Sequence, residues 1–448
     1  MIGALLNSFK IPELKKRILM TLALLAVYRL GCYVPTPGIN GEALGELFKR
    51  MSSGEGGALF GIMNMFSGGA MSRMTIFALG IMPYISCSII MQLLTAVIPF
   101  LEKLAKEGKS GMEKINQYTR YGTVLLASIQ SYFIAIWIEN LGRTQELGIV
   151  MMPGLGFRLL TVLTLTTGTI FIMWLGEQVQ QFGIGNGISL IITAGIVSRI
   201  PSAFNQLWVL ISPYSPAKRL LQPYVLLLMA AIMVAVVIAI TMIIQAQRRI
   251  PVQYARRVVG RKVYGGQSTY LPLKIDQSGI IAIIFAQSII LFPATIAAFV
   301  PWEWFRRFAT DLTRGHWLYT IVYATLIIFF CYFYTAIVFN PMEISENMKK
   351  YGGFVPGIRP GKPTAEYLDY VMTRITLAGA MFMAFIAIFP DLIMAWLKIP
   401  YLVASFFGGT GLLITIGVML DTVKQIESHL LMRNYEGFLK SSRIKGRR

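Results

Sequence analysis

Two short stretches of this 448-residue chain carry the residue types that bind phosphate. Gly108-Lys109-Ser110 ends as a phosphate-binding loop does, but the leading glycine would fall on Lys103, with no buried strand ahead of it. Gly183-Ile184-Gly185-Asn186-Gly187 opens as a dinucleotide fingerprint does, but Ile188 stands where the third glycine belongs and an apolar helix follows. Neither stretch is read as a nucleotide site. His316 and His429 lie far apart, and Cys32, Cys87 and Cys331 all fall inside apolar runs, so the cysteines read as small core residues and not as metal ligands or disulfide partners. No nucleophile stands beside a base. The expectation is a chain with no catalytic activity, no metal and no cofactor.

The 21 acidic residues all sit in loops or near the ends of apolar runs, with Glu139, Glu177 and Asp391 the nearest to an interior position. Ion- and proton-coupled carriers place a carboxylate on the transport path inside the membrane. Its absence here argues against a secondary transporter.

The elements that must position any site are apolar helices. Hydrophobic residues make up 55 % of the chain and charged residues 14 %, against about 45–50 % and about 25 % in soluble domains. The apolar residues fall in blocks of roughly twenty, the length of helix that crosses about 30 Å of hydrocarbon. Ten spans are expected, at about 18–34, 74–98, 121–140, 158–176, 188–211, 224–246, 278–300, 317–339, 372–396 and 400–420. The first follows Lys10, Lys15, Lys16 and Arg17 and runs into Pro35-Thr36-Pro37-Gly38 without a small-residue cleavage site, so it reads as a retained helix. The fifth is interrupted by Arg199 and Pro201.

An even number of spans places both termini on one side. With the basic N-terminus in the cytosol, the cytosolic segments are 1–17, 99–120, 177–187, 247–277, 340–371 and 421–448, and they hold about two-thirds of the lysines and arginines. The net charge of +20 thus belongs mostly to cytosolic loops and suits contact with anionic lipids. The 247–277 segment mixes its basic residues with Tyr254, Tyr264 and Tyr270, a surface suited to RNA or an acidic protein.

Two further patterns concern the middle of the membrane. Gly54 to Arg73 is apolar yet broken by Gly and Ser, which fits either an outer surface loop or a re-entrant piece enclosed by protein. Pro83 and Pro293 interrupt the second and seventh spans, corresponding positions of two five-helix halves, as in inverted repeats around a central path. Ile81 and Ile85 share an i, i+4 helix face, and so do Ile188 and Ile192. Isoleucines at that spacing are ordinary packing unless the faces meet.

A resemblance supplies the reason for them to meet. Thr75-Ile76-Phe77-Ala78-Leu79-Gly80-Ile81-Met82-Pro83-Tyr84-Ile85-Ser86, Gly185-Asn186-Gly187-Ile188-Ser189-Leu190-Ile191-Ile192, Gln267-Ser268-Thr269-Tyr270-Leu271-Pro272-Leu273-Lys274 and Phe354-Val355-Pro356-Gly357-Ile358-Arg359-Pro360-Gly361 resemble signature stretches of the SecY family, the channel subunits of bacterial protein translocases. The resemblance runs through essentially the whole chain. It implies an all-α polytopic membrane protein of ten helices in two pseudo-symmetric inverted halves around a pore. The N-terminal half would be 18–211 after a cytosolic 1–17, the external hinge loop 212–223, the C-terminal half 224–420 and the basic tail 421–448.

By the same resemblance, a constriction ring falls on Ile81, Ile85, Ile188, Ile192, Ile284 and Ile414. A plug falls on about 58–72, with Leu59, Phe60, Ile62, Met63, Met65, Phe66, Ser67, Gly68 and Gly69. A lateral gate would use Gln92, Gln130, Gln287 and Phe292, and motor or ribosome contacts would use Arg256, Arg257 and Arg359. The implied partners are SecE and SecG, the SecA motor ATPase or a translating ribosome, and polypeptides bearing signal sequences. The implied location is the bacterial inner membrane with both termini cytosolic.

Overall fold

The computed structural model describes residues 11–51, 64, 67–145, 148–211, 223–254, 257–259, 262–264, 268–297, 302–312, 317–397 and 409–441. They are predominantly helical. In chain order the first half contains α1 (Pro12–Gly31), α2 (Gly41–Met51), α3 (Met82–Val97), α4 (Pro99–Lys106), α5 (Lys109–Gln145), α6 (Leu155–Phe182), α7 (Gly187–Val197) and α8 (Ile200–Ile211). The second half contains α9 (Pro223–Gln245), α10 (Ile280–Ala297), α11 (Glu303–Asp311), α12 (Trp317–Val338), α13 (Pro341–Lys350), α14 (Lys362–Leu397) and α15 (Thr410–Ser441).

Among the described residues, six helices are long and apolar enough to cross a membrane. They are α5, α6, the α7–α8 pair, α9, α12 and α14, and α3 with α4 makes a seventh if that bent pair is one span. α10 carries a shorter apolar stretch, Ile280–Ile290. α1 coincides with the expected first span, and α15 with the end of the expected tenth, most of whose first half lies outside the described residues.

Three expected spans have a different shape, each for a local reason. The second is helical only from Met82, because Met74 and Gly80 take positive φ values of 45° and 58° and Pro83 starts a helix more readily than it continues one. Residues 74–81 form turns instead, held by the Pro35–Thr75 bridge and the Ile76 N–H to Val34 carbonyl bond of 3.0 Å. At its other end this span turns by 98° at Ile98, ahead of Pro99, so α4 lies across α3. The fifth span breaks at Ser198-Arg199, one residue before Ile200-Pro201 open α8.

The halves are each internally packed: α3 on α5 on α6 on α7 in the first, α10 on α12 on α14 in the second. Between them, α3 packs on α10 and α7 packs on α15. The second seam is reinforced where the Gly185 N–H donates to Gln425 Oε1 at 2.9 Å. One apolar cluster runs through both seams, with members on α1, α3, α6, α7, α9, α10, α12, α14 and α15.

The two longest expected cytosolic segments fold together. β1 (Gln247–Tyr254) pairs with β4 (Ser268–Lys274) in register Ile250↔Leu271 and Val252↔Thr269, with β2 (Arg257–Val259) and β3 (Lys262–Tyr264) toward the tip. β5 (Gly353–Phe354), from the other segment, adds to β1, giving the order β4-β1-β5. Ile250, Leu273, Phe339, Val355, Leu368 and Val371 form the buried core of this module. Cys32, Cys87 and Cys331 are all buried free thiols.

Candidate functional site

The six isoleucines expected to line a constriction come from four helices in both halves. Ile81 caps α3 just after the positive-φ turn at Gly80, and Ile85 follows one turn on. Ile188 and Ile192 lie on α7, which starts where the Asn186 side chain accepts the Ser189 N–H at 3.2 Å. Ile284 is on α10 and Ile414 on α15. Ile81, Ile85, Ile192, Ile284 and Ile414 are buried members of the one apolar cluster, and half-buried Ile188 packs against it. All six thus belong to, or pack against, one apolar cluster that extends across both halves.

α7 reaches this position through a close helix crossing. A Cβ on Gly187 would collide with the carbonyl of Gly176 on α6, and one on Gly176 would stand 3.1 Å from Ile188 Cγ1. Bare backbone at both points lets α7 sit against α6 and aim Ile188 and Ile192 at the cluster.

Of the plug residues, Leu59, Phe60, Ile62, Met63, Met65 and Phe66 lie outside the described residues. Ser67, Gly68 and Gly69 are described and are tied down on several sides. Ser67 Oγ donates to the Asn64 carbonyl at 3.3 Å and accepts the Met71 N–H at 3.1 Å, while the Gly69 N–H donates to the Asn64 carbonyl at 2.8 Å. Arg29 Nη1, in the last turn of α1, donates to the Gly68 carbonyl at 2.8 Å. Gly68 has φ +64°, and a Cβ there would stand 3.1 Å from Gly195 Cα and 3.2 Å from the Tyr28 hydroxyl. Only glycine meets both demands.

Arg29 was not among the expected site residues; a lone arginine in the last turn of an apolar helix was the available signal. It also donates to the Tyr33 hydroxyl at 3.2 Å, and the Arg29 and Arg73 guanidinium carbons lie 5.1 Å and 4.8 Å from the Tyr33 ring centre.

The expected gate residues are placed unevenly. Gln92 is half-buried on α3, its Nε2 at 3.5 Å from Ser88 Oγ, and Gln130 is half-buried on α5. Gln287 lies on α10, 1 % exposed, and neither its Nε2 nor its Oε1 has a hydrogen-bond partner among the described residues. The side chain of Phe292 lies outside the described residues. α3 and α10, which carry Gln92 and Gln287, do pack together.

Arg359 is exposed in the loop between β5 and α14, where its carbonyl accepts Thr364 Oγ1 at 2.8 Å. Arg256 lies outside the described residues, and Arg257 opens β2, with its side chain outside them as well. The hairpin and the Arg359 loop belong to the same folded module.

Two charged groups add to this picture. Glu139 is 2 % exposed and is matched by Arg158, whose Nε donates to Glu139 Oε2 at 2.7 Å, so the most interior expected carboxylate is paired across α5 and α6. Asp276 stands between β4 and α10. Its Oδ1 accepts Ser278 Oγ at 3.0 Å and the Gly279 N–H at 2.8 Å, while Oδ2 has no hydrogen-bond partner among the described residues. Burial pushes its carboxyl above the usual range, against the pull of those two donors and of Lys274; Asp421 adds to the rise.

Comparison with known proteins follows the same lines. The SecY family pattern matches residues 75–423. The chain is 48 % identical over 438 residues to the protein translocase subunit SecY of Escherichia coli (strain K12), covering 97 % of this chain and 96 % of that one. It is 44 % identical over 433 residues to the protein translocase subunit SecY of Aquifex aeolicus (strain VF5), covering 96 % and 98 %. Among solved structures, one described as "The structure of a protein conducting channel" aligns with TM-score 0.61 at 17 % identity, covering 98 % of this chain and 99 % of that one. A second, described as "Sec61 in the Canine ribosome-channel complex from the endoplasmic reticulum", aligns with TM-score 0.56 at 16 % identity over the same shares.

Proposed function

The chain belongs to the SecY family, and we propose that it forms a protein-conducting channel, passing unfolded secretory polypeptides across the membrane and releasing hydrophobic segments sideways into the bilayer. The observation that supports this reading is that Ile81, Ile85, Ile188, Ile192, Ile284 and Ile414, from both halves, all belong to or pack against one apolar cluster.

A ring of branched aliphatic side chains closes on itself and dewets, which blocks ions. The same ring offers a passing chain few hydrogen bonds and many weak contacts that reshape around different side chains. Ser67 to Gly69, tied to α1 by Arg29, would form the anchored end of the plug, a second barrier beside the ring. The seam between α3 and α10 is the proposed side exit, and the external loop 212–223, nearly all of which lies outside the described residues, is the proposed hinge. Through the exit, a sufficiently apolar segment partitions into lipid, driven by about 25 cal/mol per Å² of apolar area removed from water.

The channel role is not an enzymatic one, so the driving force comes from a partner. The β-hairpin and the Arg359 loop, as one basic cytosolic module, are the proposed seat of SecA or a translating ribosome, through Arg256, Arg257 and Arg359. SecE and SecG are the proposed companion subunits, and the bacterial inner membrane, with both termini cytosolic, the proposed location. The chain's multi-pass character and its bacterial relatives support that placement.

The test is site-specific crosslinking of a stalled secretory chain to photoreactive probes at Ile85 and Ile284. Adducts at both positions are expected. Absence of adducts at both, with adducts still formed to the cytosolic module, would remove the pore from this face of the helices.

A further inference from the structure

α11 (Glu303–Asp311) joins α10 to α12 at the end remote from the β-hairpin, and the channel reading gives it no task. Its residues fall into three stripes. Phe305, Ala309 and Leu312, at i, i+4 and i+7, turn toward the protein, with Ala309 3 % and Leu312 5 % exposed. Glu303 and Arg307, at i and i+4, form an exposed charged stripe with 3.9 Å between their charged atoms. Between these two lies a third stripe, Trp304 and Phe308, apolar yet 66 % and 45 % exposed. Trp302, just ahead of the helix, is 61 % exposed and stacks on Trp304 with 6.2 Å between ring centres.

A helix in open water has no use for an aromatic stripe set between its buried and charged sides. A helix lying flat at a membrane surface, one flank against protein, has that order: charge to water, aromatics to the headgroup layer. The level also fits. Trp317 opens the span α12 at the same end, 70 % exposed, and is followed along α12 by exposed Ile321 and Phe329, the apolar belt a span presents to lipid. Three of the seven tryptophans, Trp302, Trp304 and Trp317, thus lie at the one end where α10 gives way to α12, as tryptophans do at membrane–water boundaries.

We propose that α11 is an interfacial anchor whose Trp302, Trp304 and Phe308 face lies in the lipid headgroup layer of the leaflet opposite the β-hairpin. The occupant of this face is lipid, not a protein partner, because the stripe continues the lipid-facing belt of α12 and because its aromatics combine a large apolar body with, in tryptophan, one hydrogen-bond donor for the headgroup region.

The experiment uses the full chain in vesicles of phosphatidylcholine and phosphatidylglycerol, with and without the paired substitution Trp302→Phe and Trp304→Phe. Both changes keep an aromatic ring, and an unchanged melting curve confirms that folding is intact. The tryptophan emission lost in the variant is the signal from this site. The expected result is a component shifted to shorter wavelength than tryptophan in water. Phospholipid brominated near the headgroup should quench it more strongly than phospholipid brominated at the chain end, and aqueous iodide should leave it nearly untouched. A water-like component quenched by iodide would overturn the proposal. A short-wavelength component that no brominated lipid reaches would overturn it equally, since protein would then cover the face.

Discussion

At the start of α10, the Asp276 carboxyl is held by Ser278 and Gly279 through one oxygen while the other is buried without a partner. Burial raises its pKa in the folded state above that of the unfolded chain. The folded state therefore binds this proton more tightly. Stability from it is full below the unfolded pKa and is lost as pH rises through the folded one, so at neutral pH the ionised group destabilises. Asp276→Asn, which keeps the acceptor oxygen, is expected to raise the melting temperature of the purified complex at neutral pH, with the gain shrinking as pH falls toward the acid range. A gain independent of pH would show that ionisation is not its cause. Gln287 makes a parallel case without charge. Both its amide atoms are buried and unbonded, and leaving such a group unpaired costs about 1–3 kcal/mol. Gln287→Leu is expected to stabilise the closed α3–α10 seam by a similar amount, slowing export of precursors with weak signal sequences by tenfold or so per about 1.4 kcal/mol. Faster export would mean that the amide finds its partners only in the closed state. Residue types alone pointed to Gln287 through a family likeness, but its isolation was not legible, because it depends on which side chains surround it in three dimensions.

At the scale of elements, the contact between α6 and α7 depends on two bare backbone positions. Gly187→Ala would push a methyl against the Gly176 carbonyl, and overpacking of this kind costs about 1–3 kcal/mol. Lower thermal stability and weaker crosslinking of a stalled chain to the probe at Ile85 are the expected outcomes, whereas Gly45→Ala, where open space surrounds the site, should leave both unchanged. Apolar blocks of span length located most of these helices, since hydrocarbon thickness sets their length whatever they pack against. Their ends were less legible. Residues 74–81 read as membrane helix by hydropathy, yet Gly80 and Pro83 favour turns, and buried cover from α1 and α6 keeps those turns out of lipid. The β-hairpin was not legible for a different reason: the alternation of its first strand, with Ile250 and Val252 inward and Arg249 and Gln253 outward, is masked by the basic residues and tyrosines that make 247–277 read as a binding surface.

For the molecule as a whole, the hairpin and the loop that carries Arg359 belong to one module whose core includes Leu368 and Val371 of α14. Arg359→Glu reverses an exposed charge without touching that core. Motor-driven export is expected to fall severalfold while insertion of membrane proteins is nearly kept; equal losses in both assays would indicate misfolding. That two distant segments of sequence share this module was not legible, because pairing of β1 with β5 joins residues about a hundred positions apart. Pro83 opens α3 whereas Pro293 lies inside α10, so the prolines that suggested a repeat do not stand at matching positions, and which helices form the seams was not legible either. One further consequence belongs to the length of α5. Its 37 residues make a rod about 55 Å long, nearly twice the hydrocarbon thickness, and it packs on α3 along the way. For a stiff rod pivoting near its middle, a tilt of about five degrees carries each end through roughly 2–3 Å. A force applied to the turns near Lys109 would thus be carried along the rod as a smaller displacement beside α3.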